Sequence, residues 1–271
     1  MDRRLLIAGV LCMAVLSICF AGCTGTETPA GGEQAIATQA SESTDAPTYI
    51  VGIDVPYPPF SMIDKEGKAI GFDVESMEWI AEDQGFNVEF QQVAWDGIIP
   101  ALLAKKIDMV YSGMTITEER KEKVAFSDSY WTVNQAVIAR ADSTLVMDDI
   151  LSGEKTIGTQ RGCTAAIWID ENMIQAGQMP EENLKLYDNI PLAITDLESG
   201  RVDAVMYDST VINDIIQGKD VTKIGYVETN EQFGIAVRKE DTELLQSLNE
   251  GLAKLMADTH WQELQDKYGM I

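Results

Sequence analysis

Cysteine is scarce in this chain: there are four among 271 residues, and Cys12, Cys19 and Cys23 all fall near the start. That leaves Cys163 alone in the remainder, which excludes a disulfide framework there. Histidine occurs once, at His260. No cluster of His and Cys stands at metal-ligand spacing, and no histidine lies near a nucleophile in a motif. Positive charge is short as well, with 20 Lys and Arg against 44 Asp and Glu, a formal net charge of −24. A surface of that sign repels nucleic acid and anionic lipid. Neither a metal, a cofactor nor a nucleic-acid partner is therefore expected.

Long hydrophobic runs are also few, and the clearest one opens the chain. MDRR is followed by an almost wholly apolar stretch over residues 5–20, which reads as a secretory signal at 1–22. FAGC at 20–23 places small residues before a cysteine, as in the lipobox of bacterial and archaeal lipoproteins, although that motif prefers leucine where Phe20 stands. Cys23 is then the lipid-bearing N-terminus; an uncleaved anchor over residues 5–22 is the alternative. Either way, the rest of the chain is tethered to the outer face of the cytoplasmic membrane. Residues 23–47 are Thr, Gly, Ala, Ser, Glu and Pro with almost no large apolar side chain, a flexible linker.

From Thr48 onward the pattern alternates between strand and helix. YIVGIDV is a strand that runs into a loop made rigid by Pro56, Pro58 and Pro59. GFDVESMEWIAEDQG places Val74, Met77, Ile80 and Ala81 on one helical face and stops at Gly85. FNVEFQQV is a strand; Asp96 is expected to cap a second helix with Pro100 in its first turn, and IDMVY is a strand again. A second round follows Trp131: KTIGTQ, a glycine turn, AAIWI, LKLYDNI, the helix PLAITDLESG and the strand RVDAVMYD. Strand, helix, strand in this order implies an α/β chain with parallel pairing, whose ligands bind beyond the carboxyl ends of the strands. The tail carries Leu244, Leu245, Leu248, Leu252 and Leu255 at core spacing and is expected to dock on the first half.

Several strand ends carry chemistry. Arg120 sits three residues after Thr117, a candidate helix cap, where a guanidinium can grip a carboxylate with two parallel bonds; a surface salt bridge to Glu118, Glu119 or Asp128 is the competing reading. Gly162, Cys163 and Thr164 open a helix, so their backbone donors favour an anion. Asp208 ends the strand VDAVMY, where it can neutralise an ammonium or cap the helix that follows. Tyr57, Phe60 and Trp95 offer flat rings beside turns, with core packing the simpler reading for Phe60. Asp54, at a neighbouring strand end, can face a polar or positive tail.

The blocks VGIDVPYPPF, GFDVESMEWIA, WDGIIPALLAKKIDMVYSGMTITEER, VAFSDSYW and FGIAVRKEDTEL, in that order, resemble the family 3 extracellular solute-binding proteins, the amino-acid receptors of ABC importers. The resemblance implies a type II periplasmic-binding fold of two α/β lobes joined by two hinge strands, with lobe 1 at 48–132 and 230–271 and lobe 2 at 133–229. It implies a monomeric, non-enzymatic receptor that closes over an L-amino acid and delivers it to a membrane permease. Residue by residue, Arg120 falls on the family's carboxylate-binding arginine, Ser112, Gly113 and Thr115 on the turn before it, Thr164 on the second-lobe donor and Asp208 on the ammonium-binding aspartate. Asp54, Tyr57 and Trp95 fall on side-chain pocket positions, Trp95 where phenylalanine is common, and Gln160 on a variable contact. Cys163 departs from the serine or threonine frequent at its place. An acidic residue and aromatics around the tail favour lysine, arginine, histidine or glutamine as the ligand.

Two rival functions follow from the same residues. The fold resembles that of cyclohexadienyl dehydratases, and Cys163 at a helix N-terminus could be an activated thiolate. A sensory module addressing a receptor instead of a permease is the other; the absence of a fused kinase or channel segment before Ile271 favours a free-standing receptor.

Overall fold

The computed structural model describes residues 46–270. The signal at 1–22, Cys23 and nearly all of the 23–47 linker lie outside the described residues. Twelve strands and nine α-helices follow one another among those described. They are β1 (Thr48–Ile53), β2 (Met62–Ile63), β3 (Ala69–Ile70), α1 (Phe72–Gln84), β4 (Asn87–Gln92), α2 (Trp95–Leu103), β5 (Met109–Val110), α3 (Glu118–Lys123), β6 (Ala125–Phe126) and β7 (Trp131–Arg140). Then come α4 (Met147–Leu151), β8 (Ile157–Gln160), α5 (Thr164–Ile169), β9 (Leu184–Tyr187), α6 (Ile190–Glu198), β10 (Ala204–Asp208), α7 (Ser209–Ile215), β11 (Val221–Phe233), β12 (Ala236–Val237), α8 (Thr242–Ala257) and α9 (Thr259–Lys267).

Two five-stranded sheets carry the site. The first runs β4-β1-β5-β12-β6, with β1 parallel to β4 and β5 and with β12 antiparallel to β5 and β6. The second runs β11-β7-β10-β8-β9, where β8, β9 and β10 are parallel and β7 is antiparallel to β10 and β11. Parallel strands demand crossovers, and α1, α2 and α6 supply them with apolar faces turned to the sheets. Met77, Ile80, Leu102 and Ile194 are fully buried in this way, each stabilising the fold by roughly 1.5–3 kcal/mol.

The tail docks where expected. Leu248, Leu252 and Leu255 of α8 are buried, Lys254 pairs with Asp83 at 2.8 Å and Lys267 with Glu75 at 2.6 Å, which fixes α8 and α9 against α1. Gly85 ends α1 in the left-handed region, φ 74°.

The start of α2 departs from expectation. Its cap is Ala94, with φ −60° and ψ 139°, and the helix already includes Trp95, so Asp96 lies inside the first turn, where its charge complements the dipole, and caps nothing. The same shift places Pro100 in the second turn, leaving the carbonyl of Asp96 without its helical donor. His260, which structural packing within the C-terminal helices would have explained from the sequence, lies near the surface, 3.2 Å from Glu263.

Two long strands, β7 and β11, run side by side in antiparallel register from Trp131↔Phe233 to Arg140↔Val221. Their first-sheet ends are tied down by Tyr130 N donating to Phe233 O at 3.0 Å and Ser127 N to Ile235 O at 2.9 Å. They are thus the connection between the two sheets.

Candidate functional site

The loops after β1, β5, β8 and β10 meet in one place. A sheet presents its strand ends as a row, and two sheets joined by β7 and β11 present two rows to each other. Seven of the ten residues singled out from the sequence, Tyr57, Trp95, Gly113, Thr115, Arg120, Thr164 and Asp208, line a single cavity with Cys163 and Tyr207. The free space between them is about 10 Å³, enough for roughly one water molecule.

Arg120 is brought inward by its helix start. Thr117 accepts a bond from Arg120 N at 3.2 Å, the expected cap. The side chain is 6 % exposed, with Nη1 donating to Thr115 O at 2.8 Å and Nη2 to Gly162 O at 3.1 Å. Its acidic neighbours are engaged elsewhere, Glu118 with Lys121 at 2.9 Å and Glu119 with Lys123 at 2.7 Å, so the surface salt-bridge reading fails. Trp95 lies beneath the guanidinium, 5.3 Å from its centre, and donates Nε1 to Gly162 O at 3.1 Å.

Asp208 precedes α7 but makes no side-chain bond to it, so the capping alternative is overturned. Its carboxylate instead accepts from Tyr57 Oη at 2.6 Å and Gln135 Nε2 at 2.7 Å. Burial and then the neighbouring Glu231 push its carboxyl up to about 7, against the pull of the Tyr57 and Gln135 bonds and of Arg120.

Asp54 and Gln160 form a second contact between the rows, Gln160 Nε2 donating to Asp54 Oδ2 at 2.7 Å and to Asp188 O at 3.1 Å. Tyr207 Oη donates to the amide oxygen of Gln160 at 2.5 Å. Burial raises the Asp54 carboxyl to about 6. Ser112 stands apart from the cavity wall: its hydroxyl accepts from Asp54 N at 3.1 Å and lies 3.1 Å from the hydroxyl of Ser61. Gly113 is held from behind, its N–H donating to the buried Asp73 at 2.8 Å, and its φ of 57° brings the backbone against the ring of Tyr57. Phe60 is fully buried in the core.

Gln135, Tyr207 and Glu231 were not singled out from the sequence. Gln135 sits on the mostly apolar β7 and Glu231 on the alternating β11, neither of which carries a motif; their place is set by pairing between distant strands. Tyr207 is one residue before Asp208 and reads as an ordinary strand aromatic.

The family model described as bacterial extracellular solute-binding proteins, family 3, matches residues 49–271. The chain belongs to that family. A probable histidine-binding protein of Neisseria gonorrhoeae is 30 % identical over 252 residues, which cover 91 % of this chain and 92 % of that protein. Among solved structures, an ancestral arginine-binding protein bound to arginine matches with a TM-score of 0.74 at 37 % identity, covering 82 % of this chain and 97 % of the other. An ancestral amino acid-binding protein described as a precursor of cyclohexadienyl dehydratase matches with a TM-score of 0.71 at 35 % identity, over 82 % and 94 % of the two chains. The two sheets described above are those of the type II periplasmic-binding fold of this solute-binding family.

Proposed function

We propose that this family 3 protein is an extracytoplasmic receptor that binds a polar or basic L-amino acid between two lobes and delivers it to an ABC permease. The observation that carries the reading is that Arg120, from the first-sheet side, and Asp208, from the second, line one cavity. A zwitterion offers a carboxylate to the guanidinium and an ammonium to the aspartate, and buried charges must be paired. The lobes are 48–132 with 230–271, and 133–229, and the ligand favours the closed arrangement because its two ends contact different lobes. Gly113, Thr115 and Thr164 would complete the grip on the backbone of the ligand, and Asp54, Tyr57, Trp95 and Gln160 would face its side chain. The acidic Asp54 and the histidine- and arginine-binding relatives support a basic or amide tail. Cys23 would carry the lipid that anchors a monomeric protein outside the cytoplasmic membrane.

Thermal-shift screening of the twenty L-amino acids should single out lysine, arginine, histidine or glutamine. Stabilisation by leucine or aspartate alone would overturn the assignment. Arg120→Ala and Asp208→Ala should each abolish calorimetric binding while retaining the circular dichroism of the parent.

The dehydratase-like enzyme is the second reading, favoured by the ancestral relative of that description. Cys163 speaks against a thiolate nucleophile: it is 5 % exposed, and burial pushes its thiol up to about 11 despite the Thr159 hydroxyl at 3.2 Å. Turnover of prephenate or arogenate, lost on Cys163→Ser, would restore that reading.

A further inference from the structure

Glu231 belongs to no family motif quoted above, yet it touches both rows of the site. Between Val227, paired with Gln135, and Glu231, paired with Val133, the register of β11 shifts, and Asn230 takes a left-handed φ of 50°. Asn230 N is fastened to Asn134 Oδ1 at 2.9 Å. A bulge of this kind re-aims the following side chain. Glu231 Oε2 thus accepts from Thr115 Oγ1 at 2.9 Å, and Oε1 accepts from Gln135 Nε2 at 2.8 Å and from Thr229 Oγ1 at 2.8 Å.

A threonine hydroxyl has one proton to give and two lone pairs to offer. Once that proton goes to Glu231, Thr115 presents only acceptor capacity to the cavity it lines. Gln135 is set in the same way: its amide nitrogen donates to Asp208 Oδ1 at 2.7 Å and to Glu231 Oε1 at 2.8 Å, both nearer than the Thr164 hydroxyl at 3.3 Å, so its two protons are directed mainly to the carboxylates. One carboxylate on the connecting strand therefore fixes the polarity of Thr115 and, through Gln135, the placement of Asp208.

We propose that Glu231 is a positioning residue that makes this corner of the cleft selective for an ammonium group, by committing the Thr115 proton away from the ligand and by bracing Asp208. The inference rests on the amino-acid receptor reading and deepens it. Replacing Glu231 by glutamine puts an NH₂ where one acceptor oxygen stood. Because Gln135 already donates on one side, the new NH₂ faces Thr115, whose own proton then turns into the cleft.

The test is calorimetric titration of wild type, Glu231→Gln, Thr115→Val and the double variant. The probes are L-arginine, L-lysine, L-histidine and L-glutamine, each beside its analogue with hydrogen in place of the α-amine. For the amino acid that the wild type binds, Glu231→Gln should weaken affinity by about tenfold or more, the worth of a hydrogen bond to a charged group. Affinity for the matching analogue should be unchanged or improved, and adding Glu231→Gln to Thr115→Val should cost much less than adding it to wild type. Equal losses for both ligands would mark a role confined to hinge or fold, and would overturn the inference, as would an unaltered Glu231→Gln. A wild type that takes none of the four amino acids overturns the receptor reading and this inference with it.

Discussion

Asp208 holds a charge that its surroundings oppose, since burial and Glu231 raise its carboxyl to about 7 while only Tyr57, Gln135 and the more distant Arg120 favour the ionised form. An arriving ammonium would also favour the ionised form, so binding lowers that value and releases a proton. Apparent affinity should therefore rise between about pH 6 and 8, and calorimetry in phosphate and Tris should show different heats; equal heats would mean no proton is released. Asp73 gives a second pH effect, on stability. It is fully buried, its carboxyl is raised to about 7, and Oδ1 has no hydrogen-bond partner. A raised folded value means the native state keeps a proton that the unfolded chain has lost, so stability falls as pH rises from about 4 to 7. Asp54 and Asp208, raised to about 6 and 7, add slopes of the same sign, so Asp73→Asn should make the fall shallower without abolishing it in melts of ligand-free protein, and an unchanged slope would remove Asp73 from the account. Asp73 also shows what sequence could not disclose at this scale. Arg120 and Asp208 stood out because each follows an apolar strand, whereas the partners of Asp73, Gly113 N at 2.8 Å and Tyr130 Oη at 3.0 Å, come from segments 40 and 57 residues away.

Among the elements, α1 and α8 pack tightly at Gly251, where an added Cβ would lie 2.7 Å from Ile80 Cγ2 and 3.1 Å from Gln84 Cγ. Gly251→Val should therefore destabilise by about 1–3 kcal/mol through overpacking, read as a lower denaturation midpoint, with ligand affinity unchanged because the contact lies away from the cleft. Both helices were legible from apolar spacing and from Gly85, since helix periodicity is a local property that burial reinforces. The origin of α2 was not, because Asp96 suits the first turn as well as the cap and only the backbone of Ala94 decides between them. β7 and β11 escaped for a different reason: VTKIGYVETNEQF alternates without a continuous apolar face, and its long register is fixed by pairing across nearly a hundred residues. The glycine after β5 belongs to this scale too. A Cβ on Gly113 would meet the Tyr57 ring carbon Cε1, and φ there is 57°, so Gly113→Ala should strain the turn and displace Tyr57 from Asp208. Weaker amino-acid binding with little change in the far-ultraviolet circular dichroism is the expected result.

Across the whole molecule, two hydrogen bonds to carboxylates join the rows of strand ends, Tyr57 Oη to Asp208 at 2.6 Å and Gln160 Nε2 to Asp54 at 2.7 Å, beside those of Arg120 and Trp95 to Gly162 O. Each joins a residue of the loop after β1 to a residue at a strand end of the second sheet, so both break if the lobes part. Each also holds a carboxylate that the proposed ligand would claim, Asp208 through its ammonium and Asp54 through its tail. The Tyr57 and Gln160 donors and an incoming amino acid therefore compete for the same acceptors. Removing the two donors should weaken the contact between the lobes, leaving Arg120 and Trp95 on Gly162 O and, once bound, the amino acid to hold them. Tyr57→Phe combined with Gln160→Ala is expected to raise the radius of gyration of ligand-free protein in X-ray scattering, with the saturated variant returning toward the wild-type value. The formal charge of −24 adds self-repulsion that salt screens over about 10 Å at 0.1 M, so the difference should widen as ionic strength falls. Ligand-free scattering that stays at the wild-type value in the double variant, at both low and high salt, would show that these bonds do not hold the lobes together.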